Sequence, residues 1–256
     1  MHGMQSAADR PLKEMSMKPQ PRTVFAVFAL VVGLVMAGCG GNGETGTNSP
    51  TSSSSAEATS LVNHATEAMR RVTGMHLDLA VQGNVPNFRV TKVEGDISNT
   101  PQTVATGVAT VVLGDKSEVA KFVFVDGHLY SDLGQPGSYT DFGGGSSIYN
   151  VSVLLDPDKG LANLLAHLKN ASVDGTEQVN GVATTKIAGK SSADDVATLA
   201  GTRLTDEDIT TVPTTVWIAT DGSSHLVQLQ IDPIPNSSVT LTMSEWGKQV
   251  TATKPV

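Results

Sequence analysis

The chain has 256 residues, a single cysteine and 17 basic against 25 acidic residues, for a net charge of −8. One cysteine excludes an internal disulfide and a structural zinc site built on several thiolates. The acidic balance argues against charge-driven binding of nucleic acid or anionic lipid surfaces. The length suits one domain with flanking segments, or two small domains.

The N-terminal segment has the pattern of a lipoprotein signal peptide. Lys18 and Arg22 precede an apolar run, residues 24–37, which ends at Met36-Ala37-Gly38-Cys39. This run has the length of a signal-peptide core and is too short for a comfortable transmembrane helix. Small residues directly before a cysteine are typical of bacterial lipoprotein cleavage sites. A plain secretory signal or a chance cysteine are the alternatives.

We therefore expect residues 1–38 to be removed and Cys39 to carry a diacylglycerol and an N-acyl chain. Their removal takes away four basic and two acidic residues, so the net charge falls from −8 to about −10. Acyl chains, rather than charge, would hold the protein on the extracytoplasmic side of the cell membrane, in the periplasm or cell envelope.

Residues 39–58 are rich in Gly, Ser, Thr and Asn and almost free of apolar side chains. Such a composition cannot bury a core and predicts a flexible acylated tether. We expect residues 59–256 to form a single folded domain.

Helical spacing of apolar residues predicts three helices. Residues 57–74 carry an apolar stripe and end at Gly74, a natural helix stop. Residues 159–170 place four leucines on one side. Residues 191–201 open with a serine cap and an acidic first turn, and present Val196 and Leu199 inward.

The clearest strand pattern is the stretch "AKFVFVDGHLYSDL". Asp126-Gly127 favours a two-residue hairpin turn, which pairs Phe124 with Leu129 and Lys121 with Asp132. One face would be apolar. The other, with His128 and Tyr130, would be wet and would carry a Lys121–Asp132 ion pair.

Alternation of apolar and polar residues predicts several more strands. "HLDLAVQG", "FRVTKVEGDIS", "GVATVVLG" and "SVTLTMSEW" each read as a strand, and "TTVWIATDGSSHLVQLQI" reads as a second hairpin. In that hairpin Val216 and Ile218 would share a face with Val227 and Leu229. The fold class expected is α+β: one antiparallel sheet whose apolar face is covered by a few helices.

Motifs for catalysis or metal binding do not stand out in the sequence. It lacks G-x-S-x-G, H-E-x-x-H and C-x-x-C, and the histidines after Cys39 are scattered. The glycine-rich stretch 141–147 lacks the strand, helix and lysine of a phosphate loop. The acidic run 206–208 has the wrong spacing for a calcium loop. We expect no enzyme, no catalytic residue, no metal and no cofactor.

The space between sheet and helices is either an ordinary packed core or a hollow one. Strand and helix parity gives the candidate wall positions, and for any single position core packing and ligand contact remain equally open. The candidates are Leu77, Leu79, Val81, Ala109, Val111, Leu113, Phe122, Phe124, Leu129, Leu161, Leu164, Leu165, Leu168, Val216, Ile218, Val227, Leu229, Leu241 and Met243.

Five stretches resemble the mycobacterial LppX/LprAFG lipoproteins: "GLANLLAHLKNA", "TTVWIA", "FVFVDGHLYSDL", "SDLGQPGSYTDFG" and "TLTMSEWGKQVTATKP". The resemblance implies an antiparallel β half-barrel with helices packed on its concave face. In the family these enclose an apolar cavity for the acyl chains of envelope glycolipids. It also implies a lipid exporter and a host Toll-like receptor as partners, the receptor through the acylated cysteine. Sugar head groups would sit near the polar loop 143–147.

Three functions follow from this sequence as hypotheses. The first is a lipoprotein that binds glycolipid acyl chains and carries or presents them across the periplasm. The second is an acylated surface antigen or Toll-like receptor agonist without a transport role. The third, a lipid hydrolase, needs a nucleophile beside a base, and no histidine sits in such an arrangement in the sequence.

Overall fold

The structure, a computed structural model, describes residues 50–145 and 148–255. Within these residues the helices are α1 (Pro50–Arg70), α2 (Leu161–Ala166) and α3 (Ala193–Ala200), with a short 3₁₀ helix at Val151–Leu155. The strands are β1 (Gly74–Gln82), β2 (Val90–Ser98), β3 (Val104–Leu113), β4 (Lys116–Val125), β5 (His128–Ser131), β6 (Thr140–Asp141), β7 (Lys169–Val179), β8 (Val182–Ser192), β9 (Thr211–Ala219), β10 (Leu226–Ile234) and β11 (Ser237–Ser244).

All eleven strands belong to one antiparallel sheet. Its order is β6-β5-β4-β3-β2-β1-β11-β10-β9-β8-β7, so the first and last strands of the described residues meet at the centre, where β1 pairs with β11. The sheet does not close, because β6 and β7 are its edges. The result is an open half-barrel with helices on its concave face, which confirms the predicted α+β class.

The β4–β5 hairpin has the predicted register. Phe124 lies opposite Leu129, and Phe122 lies opposite Ser131. The predicted wet face is wrong, however, for Tyr130 and Asp132, which are both buried. Lys254, from the C-terminal segment, lies over the Tyr130 ring.

Asp132 accepts backbone hydrogen bonds in place of the predicted ion pair. The amide of Lys121 donates to its Oδ1 at 2.6 Å, and the amide of Gly137 donates to its Oδ2 at 2.9 Å. These two bonds hold the pKa of Asp132 below its ordinary value of 3.8, and the bond from Gly137 has the larger effect. The carboxylate thus fixes the loop that follows β5.

Replacing Asp132 by Ala is expected to lower the free energy of unfolding at neutral pH. Because the folded-state pKa is depressed, this contribution is present above the unfolded-state pKa and is lost as pH falls through the folded-state pKa. The gap between wild type and variant should therefore narrow from about pH 7 to about pH 3. Urea unfolding at both pH values measures it. Asp115→Ala, in the exposed β3–β4 turn, is the control, and a gap that stays constant with pH would contradict the assignment.

The helices differ from prediction at their ends. Helix α1 begins at Pro50, so residues 50–58 of the predicted tether are helical, and Ala58 is fully buried. The predicted helix at 159–170 ends at Ala166, because Lys169 starts edge strand β7. Helix α3 is capped as predicted: Ser192 Oγ accepts the Asp195 amide at 2.9 Å, and Gly201 ends it with φ +72°.

Candidate functional site

The concave face of the half-barrel brings most of the predicted wall positions into one apolar cluster. The buried members are Leu77, Phe124, Leu129, Leu161, Leu164, Leu165, Val216, Ile218, Leu229, Leu241 and Met243. The half-buried members are Leu79, Val81, Phe122 and Leu168. Residues from both halves of the sheet and from α2 therefore share one interior.

One half of this interior is tightly packed. Helices α1 and α3 lie over β7, β8 and β9, and α2 packs against both helices. Beneath them Leu165, Ile218 and Leu229 are fully buried. Buried side chains of the protein occupy most of this half, which is an ordinary core apart from one cavity between α1, α2 and the start of β7.

The other half, over β1 to β4, is less covered. Leu79, Val81, Ala109, Val111 and Phe122 are only half-buried, although all five lie on the concave side. They form a continuous surface, since Leu79 pairs with Val93, Val93 with Ala109, and Ala109 with Ala120. Half-buried apolar side chains that continue directly into a core are suited to contact with an apolar ligand.

Two glycines form the floor of this surface. Gly95 and Gly107 face each other across β2 and β3, and Phe122 follows on β4. A Cβ on Gly107 would lie 2.4 Å from the Glu94 carbonyl oxygen, so the backbones approach too closely for a side chain. The ring of Phe122 covers both glycines, with Cζ 3.2 Å and 2.7 Å from their would-be Cβ positions. The Phe122 ring therefore occupies the space above both glycines, which is a shallow trough that spans β2 and β3.

Three aromatic residues that sequence reasoning missed line the same interior: Phe88, Phe142 and Tyr149. The Tyr149 hydroxyl donates to the Leu199 carbonyl oxygen at 2.9 Å, which ties the loop after β6 to α3. Burial raises the pKa of the Tyr149 phenol above its ordinary value. The aromatic residues flanking the glycine-rich stretch were the available signal. Ser146 and Ser147 of the predicted polar mouth lie outside the described residues.

Two predicted wall positions lie elsewhere. Val227 packs with Trp217 in a second cluster on the outer face, because a bulge between Leu226 and Gln228 shifts the alternation. Leu226 takes the inward position opposite Ile218 instead. Leu113, at the end of β3 beside the turn, is 42% exposed.

Two cavities lie elsewhere among the described residues, and neither contains the Leu79, Ala109 or Phe122 surface. One, of about 460 Å³, lies between α1, α2 and the start of β7 and includes Thr59, Leu165 and Leu168. The other, of about 720 Å³, is a groove lined by residues of β1, β9, β10 and β11. The predicted apolar site is thus a half-covered surface in this structure.

Three of the described histidines contact a carboxylate or an aromatic ring as follows. His76 hydrogen-bonds Asp96 at 2.6 Å, and His128 hydrogen-bonds Asp141 at 3.0 Å. His225 stacks on Trp246, with ring centroids 4.6 Å apart, and burial lowers its pKa. Within 50–145 and 148–255 no group of three or more His, Cys, Asp or Glu residues is placed to hold a metal ion. No helix in those ranges is long and apolar enough to span a bilayer.

Lipoproteins of known structure share this open antiparallel half-barrel with helices on its concave face. This chain belongs to the LppX_LprAFG lipoprotein family, whose model matches residues 57–252. The predicted family is thereby confirmed.

Individual relatives support the same assignment. The chain is 68% identical over 244 residues to lipoprotein LprA of Mycobacterium tuberculosis, covering 94% of this chain and all of LprA. It is 38% identical to the lipoarabinomannan carrier protein LprG of Mycolicibacterium smegmatis, covering 93% and 99%. The crystal structure of LprF from Mycobacterium bovis matches with a TM-score of 0.70 at 25% identity, covering 78% and 98%. That of LppX from M. tuberculosis matches with a TM-score of 0.59 at 26% identity, covering 77% and 98%.

Proposed function

We propose that this protein binds the acyl chains of glycolipids on the concave face and carries or presents them across the periplasm. The half-buried apolar surface of β1 to β4 is the observation that carries the proposal, because it continues the buried core without being filled by it. A relative at 38% identity, named as a lipoarabinomannan carrier, supports a glycolipid as the ligand.

The size of the hydrophobic effect explains why such a carrier needs a whole sheet face. A lipid with two chains and about 32 methylenes would cost on the order of 25 kcal/mol to place bare in water. A carrier must cover most of that apolar area. Transfer between an apolar protein surface and a membrane is then nearly balanced in free energy, which suits reversible loading and release.

The proposal includes an anchor at the other end of the chain. Residues 1–38 act as the signal peptide, and Cys39 carries the diacylglycerol and N-acyl chains that hold the protein on the extracytoplasmic side of the membrane. These residues lie outside the described ranges. We assign any recognition by a host Toll-like receptor to the acylated cysteine and any exchange with a lipid exporter to the folded body.

The proposed role is that of a carrier without catalysis. A hydrolase would need a nucleophile beside a base. The ring hydrogen bonds of His76, His128 and His167 go to carboxylates and His225 stacks on an indole, so none of these four rings is hydrogen-bonded to a serine or threonine hydroxyl that it could activate.

Native mass spectrometry of the mature protein, purified from a mycobacterial host, tests the proposal. We expect a population with the added mass of an acylated glycolipid, and the same population in Cys39→Ala, which should lose only its membrane anchoring and receptor activation. Repeated absence of bound lipid in the wild type would leave the surface antigen as the better assignment. Release of fatty acid from a test ester, abolished by a single Ser or His substitution, would support the hydrolase.

A further inference from the structure

The groove of about 720 Å³ faces away from the proposed acyl site. Gln82 pairs with Ser238 across β1 and β11, and both line the groove. Their sequence neighbours Val81 and Val239 point into the core cluster. Because successive strand residues face opposite sides of a sheet, the groove lies on the outer face of the half-barrel.

We propose that this outer groove binds a neutral glycan. Its wall combines hydrogen-bonding and apolar groups in similar measure. Amides, hydroxyls and one carboxylate come from Gln82, Thr211, Gln230, Asp232, Asn236 and Ser238. Proline and isoleucine side chains supply the apolar part, at Ile209, Pro213, Pro233, Ile234 and Pro235.

The charge of the groove disfavours ionic ligands. No lysine or arginine lines it, so a phosphate, a sulfate or an anionic head group would meet no counter-charge. Asp232 is its only charged residue, and one carboxylate is too few for a calcium or magnesium site.

The polarity and shape of the groove disfavour two further classes. An acyl chain would strip water from several amides without replacing their hydrogen bonds, which is costly. A proline-rich peptide docks in grooves lined by aromatic rings, and no aromatic residue lines this one.

A neutral sugar matches the mixed polar and apolar wall of the groove. Its hydroxyl groups exchange hydrogen bonds with amides and carboxylates, while the C–H faces of its ring pack on apolar side chains. The Gln230 side-chain amide donates to Asp232 Oδ1 at 2.8 Å, which orients both groups in advance. Pro213, Pro233 and Pro235 restrict the backbone of the wall, so less conformational entropy is lost on binding. A volume of about 720 Å³ leaves room for a short oligosaccharide.

Saturation-transfer NMR on the mature lipoprotein, in micelles of a detergent that contains no sugar, tests this site. The probes are mannotriose, maltotriose and cellotriose, with inorganic phosphate as an ionic competitor. We expect saturation transfer to at least one trisaccharide, undisturbed by phosphate. Ser238→Trp, which fills the groove, should weaken binding at least tenfold. Lys92→Trp, an exposed position on β2 outside the groove, should change it less than twofold.

Absence of transfer to all three trisaccharides, or equal transfer in Ser238→Trp and wild type, would overturn the proposal. Should Ser238→Trp fail to fold by circular dichroism, Gln82→Ala at an exposed position replaces it, with an expected weakening of at least threefold.

The glycan could belong to an envelope polysaccharide or to the head group of a glycolipid. Glycolipid loading of Ser238→Trp, measured by native mass spectrometry, separates these two sources. Reduced loading indicates the head group, and unchanged loading indicates the polysaccharide. Replacing Ala109, on the concave face, by Trp tests acyl-chain binding separately, so either proposal can fail while the other holds.

Discussion

Replacing Ala109 by Trp is expected to lower acyl-lipid loading at least tenfold while leaving the fold intact. Ala109 lies on the concave side of β3 between Val93 and Ala120, in the half-covered part of the interior. An indole there would occupy the space above the sheet in which an acyl chain would lie. The fraction of protein that carries lipid in native mass spectra measures the effect, and circular dichroism checks the fold.

Val108→Trp is the matched control for this prediction. Val108 is the neighbouring residue on the same strand, but it lies on the outer face and is 39% exposed. Its replacement should leave loading within twofold of the wild type. Equal losses in both variants, or full loading of Ala109→Trp, would show that acyl chains bind elsewhere.

Leu165→Ala is expected to lower the free energy of unfolding of the lipid-free protein by about 2–5 kcal/mol, because it removes the apolar contacts of a fully buried leucine. Leu165 is fully buried on α2, within the apolar cluster that α1 and the sheet share. Urea denaturation followed by circular dichroism measures the change. Val119→Ala, at a position 64% exposed, should stay within about 0.5 kcal/mol of the wild type.

This measurement also separates the two possible roles of the buried leucines. A loss of less than about 1 kcal/mol would mean that Leu165 borders space reserved for a ligand rather than a packed core. The lipid site would then extend beneath α2, and the division of the interior into a packed half and a half-covered half would be wrong.

Local signals in the sequence were sufficient where a structure depends on neighbouring residues. The Asp-Gly turn fixes the register of the β4–β5 hairpin, since a two-residue turn leaves one pairing. Ser192 caps the start of α3 and Gly201 caps its end, and both residues are local signals that the sequence shows directly.

Features that depend on distant residues were not predictable in the same way. Tyr130 reads as exposed by alternation, yet Lys254, more than a hundred residues later, covers it. Strands β7 and β8 were missed because β7 is polar and its pairing with β8 is interrupted by two register shifts. Val227 changes face because of a single bulge, which apolar alternation does not reveal.

The sequence was sufficient to predict which residues of the candidate site share a face of the sheet, but not the shape of the space above that face. Strand parity predicted that Leu79, Ala109 and Phe122 share one face, and the strand register places all three on the same face of the sheet. Strand parity could not show that the helices pack mainly over β7 to β9, nor that Gly95 and Gly107 leave a trough that the Phe122 ring covers. Both depend on how separate elements pack.

Because α1 starts as early as Pro50, the folded domain of a molecule anchored at Cys39 can lie only a limited distance from the membrane surface. Ten residues lie between Cys39 and Pro50, and the eleven Cα–Cα steps that join them span at most about 40 Å in any conformation. With Cys39 fixed in the bilayer, the half-barrel would sample only a thin layer of the envelope beside it. Delivery of cargo beyond that layer would then require a relay: a second acceptor that meets the body at the membrane, or detachment of the lipoprotein itself.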